Sequence, residues 1–211
     1  EPQIEAGMPI VGLEPSCVAV FRDELTNLFP EREVARKLSQ QVMMLSEFIE
    51  REAKDVPLPK LARKAVVHGH CHHKAIMKLD AETAVLDRLG LDYEVLDSGC
   101  CGMAGSFGFE PNHLDVSLKA GERVLLPAVR AAEAETLIIT DGFSCHEQIA
   151  QGSTRRALHL AEVLQLAFRQ GESVAPEEAP RRPAIGEIAL LVGGLALMGF
   201  LAFKRRQRKG A

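Results

Sequence analysis

The sequence contains no tryptophan and only one tyrosine in 211 residues. It has no surplus of positive charge either: 25 lysines and arginines face 29 acidic residues, for a net charge of −4 and an isoelectric point near 6.0. Without a basic field, a nucleic-acid partner is not expected. There is no paired C-x2-C knuckle, the usual spacing of a structural zinc site. No dinucleotide fingerprint with its ribose-binding acid is present, and no flavin site is recognisable. No signal peptide is visible. The chain opens Glu1-Pro2-Gln3 rather than on methionine, so the expectation is a fragment or processed product with a further domain upstream. Cysteine is sparse and odd in number, five in all. That does not suit a secreted disulfide framework and points to metal or redox chemistry in a reducing compartment.

What is present is concentrated in one stretch, Gly99-Cys100-Cys101-Gly102-Met103-Ala104-Gly105-Ser106-Phe107-Gly108. Adjacent cysteines close a strained disulfide ring, but they make a good pair of thiolate ligands where the backbone is free to turn. Gly99, Gly102 and Gly105 supply that freedom and are expected to hold a cofactor close to the main chain. The other cysteines are Cys17, Cys71 and Cys145.

Short apolar runs predict strands at Pro9–Leu13, Ala65–Gly69, Tyr93–Leu96 and Thr136–Thr140. Helical spacing predicts helices over Val18–Phe29, Glu31–Ala53, Lys74–Leu89, from Asn112 or Asp115 to Ala132, and over Arg156–Gln170. Ser16 is the expected cap of the first and Gly90 the expected C-terminal stop of the third. Alternating strands and helices imply right-handed crossovers and an α/β fold, a mostly parallel sheet with helices on both faces. Ligands of such sheets bind beyond the carboxyl ends of the strands. Cys17, Cys71, Cys100, Cys101 and Cys145 each follow a predicted strand within a few residues, so the topology gathers them at one edge.

Residues 171–183 are rich in proline and glutamate and read as a linker. Residues 184–203 carry one charge, Glu187. As a helix they span roughly 30 Å, the thickness of a bilayer core, and they predict a single C-terminal transmembrane helix. The basic tail 204–211 follows. Its charge places the C-terminus on the cytoplasmic side by the positive-inside rule. Cysteines of a reducing interior place the domain there instead. The second argument weighs more, and the expectation is an inner-membrane anchor with the domain on the cytoplasmic side, near a quinone or other membrane electron acceptor.

Cysteines converging on separate loops suit an iron–sulfur cluster. Two alternatives stand beside it. One is a zinc-stabilised interaction domain drawing on the same cysteines and on His68, His70, His72 and His73. The other is a thiol–disulfide reductase using Cys100 and Cys101. His146 and Lys74 flank the cysteines, and Asp141 is expected to orient its loop.

The spacing Cys71, 28 residues, Cys100-Cys101, 43 residues, Cys145 resembles the CCG cysteine-rich domain of heterodisulfide reductases and of glycolate, lactate and glycerol-3-phosphate oxidoreductases. The wording GLEPSCVAVFRDEL, VVHGHCHHKA, LDSGCCGMAGSFGFE and LIITDGFSCHEQI is similar to the C-terminal end of proteins that fuse an FAD-linked oxidase to an iron–sulfur region. The resemblance implies an N-terminally truncated CCG domain over residues 1–170. It implies an iron–sulfur cluster of 4Fe-4S type, with Cys71, Cys100, Cys101 and Cys145 as its ligands. Cys17 matches the last cysteine of a preceding repeat and is the fifth candidate ligand, which a five-cysteine non-cubane site would require. FAD would sit on an upstream flavoprotein domain or subunit that oxidises a D-2-hydroxy acid. One departure stands out: the fuller motif ends C-x-x-C, and Gly142 occupies the first of those positions.

Overall fold

The computed structural model describes residues 1–169. The predicted linker 171–183, transmembrane helix 184–203 and tail 204–211 lie outside the described residues. Among the described residues no helix is long and apolar enough to cross a membrane.

The elements run α1 (Pro2–Glu5), β1 (Ile10–Gly12), α2 (Pro15–Ala19), a π-helical turn Val20–Glu24, α3 (Leu25–Leu28), α4 (Glu33–Gln41), β2 (Val42–Met44) and α5 (Leu45–Glu52). Then follow β3 (Lys64–Val67), a π-helical turn His73–Met77, α6 (Asp80–Leu89), β4 (Asp92–Val95), a 3-10 turn Phe107–Phe109, α7 (Leu114–Gly121) and α8 (Leu125–Ala131). The described part closes with β5 (Leu137–Ile139), α9 (Phe143–Gly152), β6 (Ala157–Leu158) and α10 (Leu160–Phe168).

All pairings are parallel. The main sheet has four strands in the order β4-β3-β5-β6. Side chains alternate across it, as the pleat requires. Ala65, Val67, Leu137 and Ile139 pack on one face with Ile49 of α5, Val85, Leu86 and Leu89 of α6, and Leu160, Val163 and Leu164 of α10. Val66 and Ile138 turn to the opposite face, against Leu125 and Val129 of α8 and Ile149 of α9. Helices on both faces of a parallel sheet are therefore observed, as expected. Each fully buried aliphatic side chain contributes about 1.5–3 kcal/mol relative to exposure, so the sheet and its two helical layers carry most of the stability.

The first strand departs from expectation. β1 does not join the main sheet; it pairs with β2 in a separate two-stranded sheet, Ile10 opposite Val42. β2 interrupts the helix predicted over Glu31–Ala53. The reason lies in two contacts. Val42, Met43 and Met44 are buried, and Glu47 stops the helix from running through. Its Oε2 accepts the Met44 N–H at 2.7 Å, which caps a new helix at Leu45. The same carboxylate takes a bidentate pair from Arg22 at 2.9 and 2.7 Å, while Arg22 Nε–H donates to the Val42 carbonyl at 3.0 Å.

Other boundaries shift for similar local reasons. The helix predicted over Lys74–Leu89 breaks at Lys78, whose φ is +68°, and resumes at Asp80. The helix predicted to end at Ala132 breaks between α7 and α8. α2 is capped not by Ser16 but by Glu14, whose Oε1 accepts from Ser16 N at 3.1 Å and Ser16 Oγ at 2.6 Å, with Pro15 in the first turn. α7 is entered from His113, not from Asn112 or Asp115. Gly90 ends α6 with φ +69°, as predicted. α9 fills the stretch between Thr140 and Arg156, where the periodicity predicts no element, and β6 takes the opening of the helix predicted over Arg156–Gln170, so that α10 begins only at Leu160.

Ile139 is buried between the strands and three helices, so Ile139→Ala is expected to cost about 2–5 kcal/mol in urea unfolding. Val116→Ala, at an exposed position of α7, is expected to stay within about 0.5 kcal/mol. Equal losses from the two would contradict this layering.

Candidate metal centre

The site forms where three strands of the main sheet end. Beyond β3, His68 N–H extends the ladder to the Ile139 carbonyl at 2.8 Å, and the chain turns out through His70 and Cys71. Beyond β4, Leu96 N–H donates to the Val67 carbonyl at 2.9 Å, and Ser98, Cys100 and Cys101 follow. Beyond β5, Thr140 N–H donates to the Leu158 carbonyl at 3.0 Å. Gly142 then caps α9, whose first turn carries Cys145.

These loops bring four cysteines into one row, none of them in a disulfide. Cys71 is hydrogen-bonded to Cys100, Cys100 to Cys101, and Cys101 to Cys145. Cys101 and Cys145 are buried, and Cys71 and Cys100 are half-buried. The row polarises itself. Hydrogen bonds with Cys101 and Cys71 pull Cys100 far below the usual thiol range. Hydrogen bonding with Cys101, and then with His68, lowers Cys145 to about 5. Cys145 also sits in the first turn of α9, where the helix end favours a thiolate. Cys71 and Cys101 are pushed up, first by those same hydrogen bonds and then by burial. A row of sulfurs in which the thiolate is favoured at alternate positions is a ready donor set for a cation that takes all four sulfurs and releases the remaining protons.

Cys17 does not join this row. It is exposed on α2, at the end of the other sheet. Its neighbourhood nevertheless reaches the site: Glu14 Oε2 accepts from the Phe143 N–H at 2.7 Å, at the start of α9, and Val18 of α2 packs with Met77 of the turn after Cys71.

Of the three loop glycines expected to hold a cofactor, Gly102 is constrained. Its φ is +102°, and a Cβ there would collide with the Ser117 carbonyl of α7. Its N–H donates to Cys100 Sγ at 3.3 Å. Gly105 has φ +66° but open space where a Cβ would stand, and Gly99 has neither a positive φ nor anything within 4 Å of an added Cβ. Gly142, where the fuller motif has cysteine, is closely packed: a Cβ there would strike the His70 ring and lie 3.2 Å from Cys145 Sγ.

The surrounding polar groups are oriented. His68 Nδ1 lies 2.7 Å from Ser98 Oγ, which fixes the ring near Cys145. Lys74 Nζ donates to the Ser98 carbonyl, fixing the loop before the cysteine pair. His146 Nε2 donates to the Thr140 carbonyl at 2.7 Å. His70 stacks on His72 with ring centroids 5.4 Å apart. Asp141 does orient its loop: Oδ1 accepts the Leu160 N–H at 2.8 Å. Sequence reasoning missed Ser98, Glu14 and Glu82. Glu82 had a signal, because it stands at i, i+3, i+4 and i+7 with Val85, Leu86 and Leu89 and so lies on the buried stripe of α6. Burial raises its carboxyl well above the ordinary range and lowers His73 to about 4.

Gly102→Ala is expected to strain the backbone by about 1–3 kcal/mol in addition to the clash with Ser117. The result should be a lower melting temperature and faster alkylation of Cys101. Gly99→Ala is expected to leave both unchanged, and similar behaviour of the two variants would show that the loop is not held as described.

No family model matches the chain, and no solved structure matches it. Curated relatives do. One of the subunits of anaerobic glycerol-3-phosphate dehydrogenase from Escherichia coli K12 is 31% identical over 173 residues, covering 77% of this chain and 41% of that protein. D-2-hydroxyglutarate dehydrogenase from Escherichia coli K12 is 27% identical over 161 residues, 75% of this chain and 15% of the relative. The Pseudomonas putida protein of the same name is 27% identical over 168 residues, 78% of this chain and 16% of the relative. The chain thus spans well under half the length of these relatives. With its cysteine row on the carboxyl edge of a parallel sheet, it is homologous to part of these dehydrogenase proteins.

Proposed function

We propose that this chain is the iron–sulfur electron-relay portion of an FAD-linked dehydrogenase that acts on a D-2-hydroxy acid. The observation that carries the reading is the row Cys71–Cys100–Cys101–Cys145, drawn from three strand ends and left free of disulfides. The name of the D-2-hydroxyglutarate relatives supports the substrate class; glycerol 3-phosphate shares with it only the negative charge and the secondary alcohol.

In this reading the four cysteines hold the cluster as thiolates. Bound there, a cluster of 4Fe-4S type supplies one-electron transfer between a reduced flavin on an upstream domain and an acceptor. The protein's own part is to set the surroundings. Gly102 N–H and His68 stand against sulfurs of the row, where donated hydrogen bonds raise a reduction potential. Burial of Cys101 and Cys145 keeps that end of the row from water, and the half-buried Cys71 and Cys100 leave the other end open to a partner. Cys17 has no role in this row.

Zinc has one observation in its favour: ligand atoms of His70, Cys71 and His72 lie within 4.8 Å of one another. His70 Nδ1 is already occupied by the His72 N–H at 3.2 Å, and consecutive residues do not close a tetrahedron. The iron–sulfur reading uses all four cysteines and is preferred.

Membrane attachment through residues 184–203, with the domain on the cytoplasmic side, belongs to the same proposal. It would keep the relay near a membrane electron acceptor.

After anaerobic reconstitution with iron and sulfide, Ser replacements of Cys71, Cys100, Cys101 or Cys145 are expected to lose most bound iron, while Cys17→Ser keeps it. Full iron occupancy in all four variants would refute the assignment. The chain alone is expected to show no turnover of D-lactate or D-2-hydroxyglutarate, because the hydride acceptor is elsewhere. Protease added outside spheroplasts is expected to spare the domain, and its digestion from that side would reverse the orientation.

A further inference from the structure

A second group of ligating side chains lies outside the thiol row. His73 is in the π-helical turn after Cys71, Glu82 in the first turn of α6, and Asp141 just beyond β5. Their ligand atoms all lie within 4.8 Å of one another. The three residues are 1%, 2% and 5% exposed, respectively. His73 Nδ1 approaches Glu82 Oε2 to 3.2 Å, but neither ring nitrogen makes a hydrogen bond, and Asp141 Oδ2 makes none. Buried polar atoms are almost always paired, and two carboxylates beside an imidazole are costly to bury with nothing between them.

We propose that His73, Glu82 and Asp141 bind one divalent transition-metal ion through nitrogen and oxygen donors, at a site separate from the cysteines. The donor set of one imidazole and two carboxylates suits a borderline or hard ion such as Mn²⁺, Fe²⁺ or Zn²⁺, and contains no sulfur. A divalent ion there engages the atoms that the protein leaves without partners. Asp141 is already oriented for it. Its Oδ1 is taken by the Leu160 N–H at 2.8 Å and faces His159 Nε2 at 3.4 Å, which leaves Oδ2 free. His159 is not itself a ligand: its Nδ1 accepts the Ala161 N–H at 2.9 Å, so the proton is on Nε2, which also lies 2.7 Å from the Leu13 carbonyl. It acts as the outer partner that fixes a ligating carboxylate. The neighbouring cation Arg22 does not repel the ion strongly, because Glu47 neutralises it in a bidentate pair. The ion would clamp the turn after Cys71, the start of α6 and the strand end before Cys145. It therefore holds two cysteine-bearing segments in place whatever those cysteines bind.

Manganese is the probe, because it prefers oxygen and nitrogen to thiolate. The full 211-residue chain, stripped with chelator, is titrated with Mn²⁺ and followed by the loss of the free-ion electron paramagnetic resonance signal. One tight equivalent per chain is expected, unchanged in Cys100→Ser and weakened about tenfold or more in Glu82→Gln. No uptake by the unmodified chain, equal uptake by Glu82→Gln, or loss of uptake in Cys100→Ser would each overturn the site. Should Glu82→Gln fail to fold, the unmodified chain still decides. Electron spin-echo modulation from an imidazole nitrogen on the bound Mn²⁺ is expected, and its absence would overturn the assignment.

Discussion

Parallel pairing of β3 with both β4 and β5 is the constraint on which the rest of the molecule depends. Because the strands run the same way, each must be followed by a crossover, and every crossover begins at the same edge. β5 is buried along its whole length, with helices on either side, so its register cannot slip without turning its apolar set out of one face and into the other. That fixed register sets where Thr140 ends the strand and where α9 begins. The cysteines converge because strand ends converge, and no contact between the cysteine-bearing loops is needed to explain why they meet.

The same constraint explains what the sequence could reveal. Strand ends are easy to read where apolar runs are followed by glycine and polar residues, and this holds at Val67, Val95 and Ile139. The convergence of Cys71, Cys100, Cys101 and Cys145 was therefore legible. Cys17 follows a strand equally clearly, but nothing in its own segment tells which sheet β1 enters. β2 was hidden inside a helical stripe, since Val42 and Leu45 fit the helix on either side of it. Its identity comes from Glu47 and Arg22, which are distant in sequence and meet only in the fold. β6 is two residues long and carries no periodicity. The roles of the glycines were legible as a class but not individually. Gly102 is held by a carbonyl of α7, which no local reading supplies.

Electrostatics at the edge divide into two regimes. In the thiol row, short polarisable side chains share protons with one another, and their hydrogen bonds favour the thiolate at Cys100 and Cys145. Around His73, Glu82 and Asp141, burial acts instead to remove charge, pushing the carboxyls up and the imidazole down. The two clusters are adjacent in sequence at both ends, His73 beside Cys71 and Asp141 before Cys145.

Glu14 is a carboxylate with two duties. One oxygen caps α2 through Ser16, and the other receives the first N–H of α9 at Phe143, a residue 129 positions further along the chain. Such a contact is among the most non-local that the domain makes. Closing a loop of that length costs entropy that grows only slowly with its size, yet it delays the contact in time, since non-local pairings form late. During synthesis on the ribosome, Glu14 emerges long before its partner exists. Until then only one of its oxygens has a partner, the one that caps α2. A single side chain near the beginning of the sequence thus ties the end of the small sheet to the helix that carries Cys145.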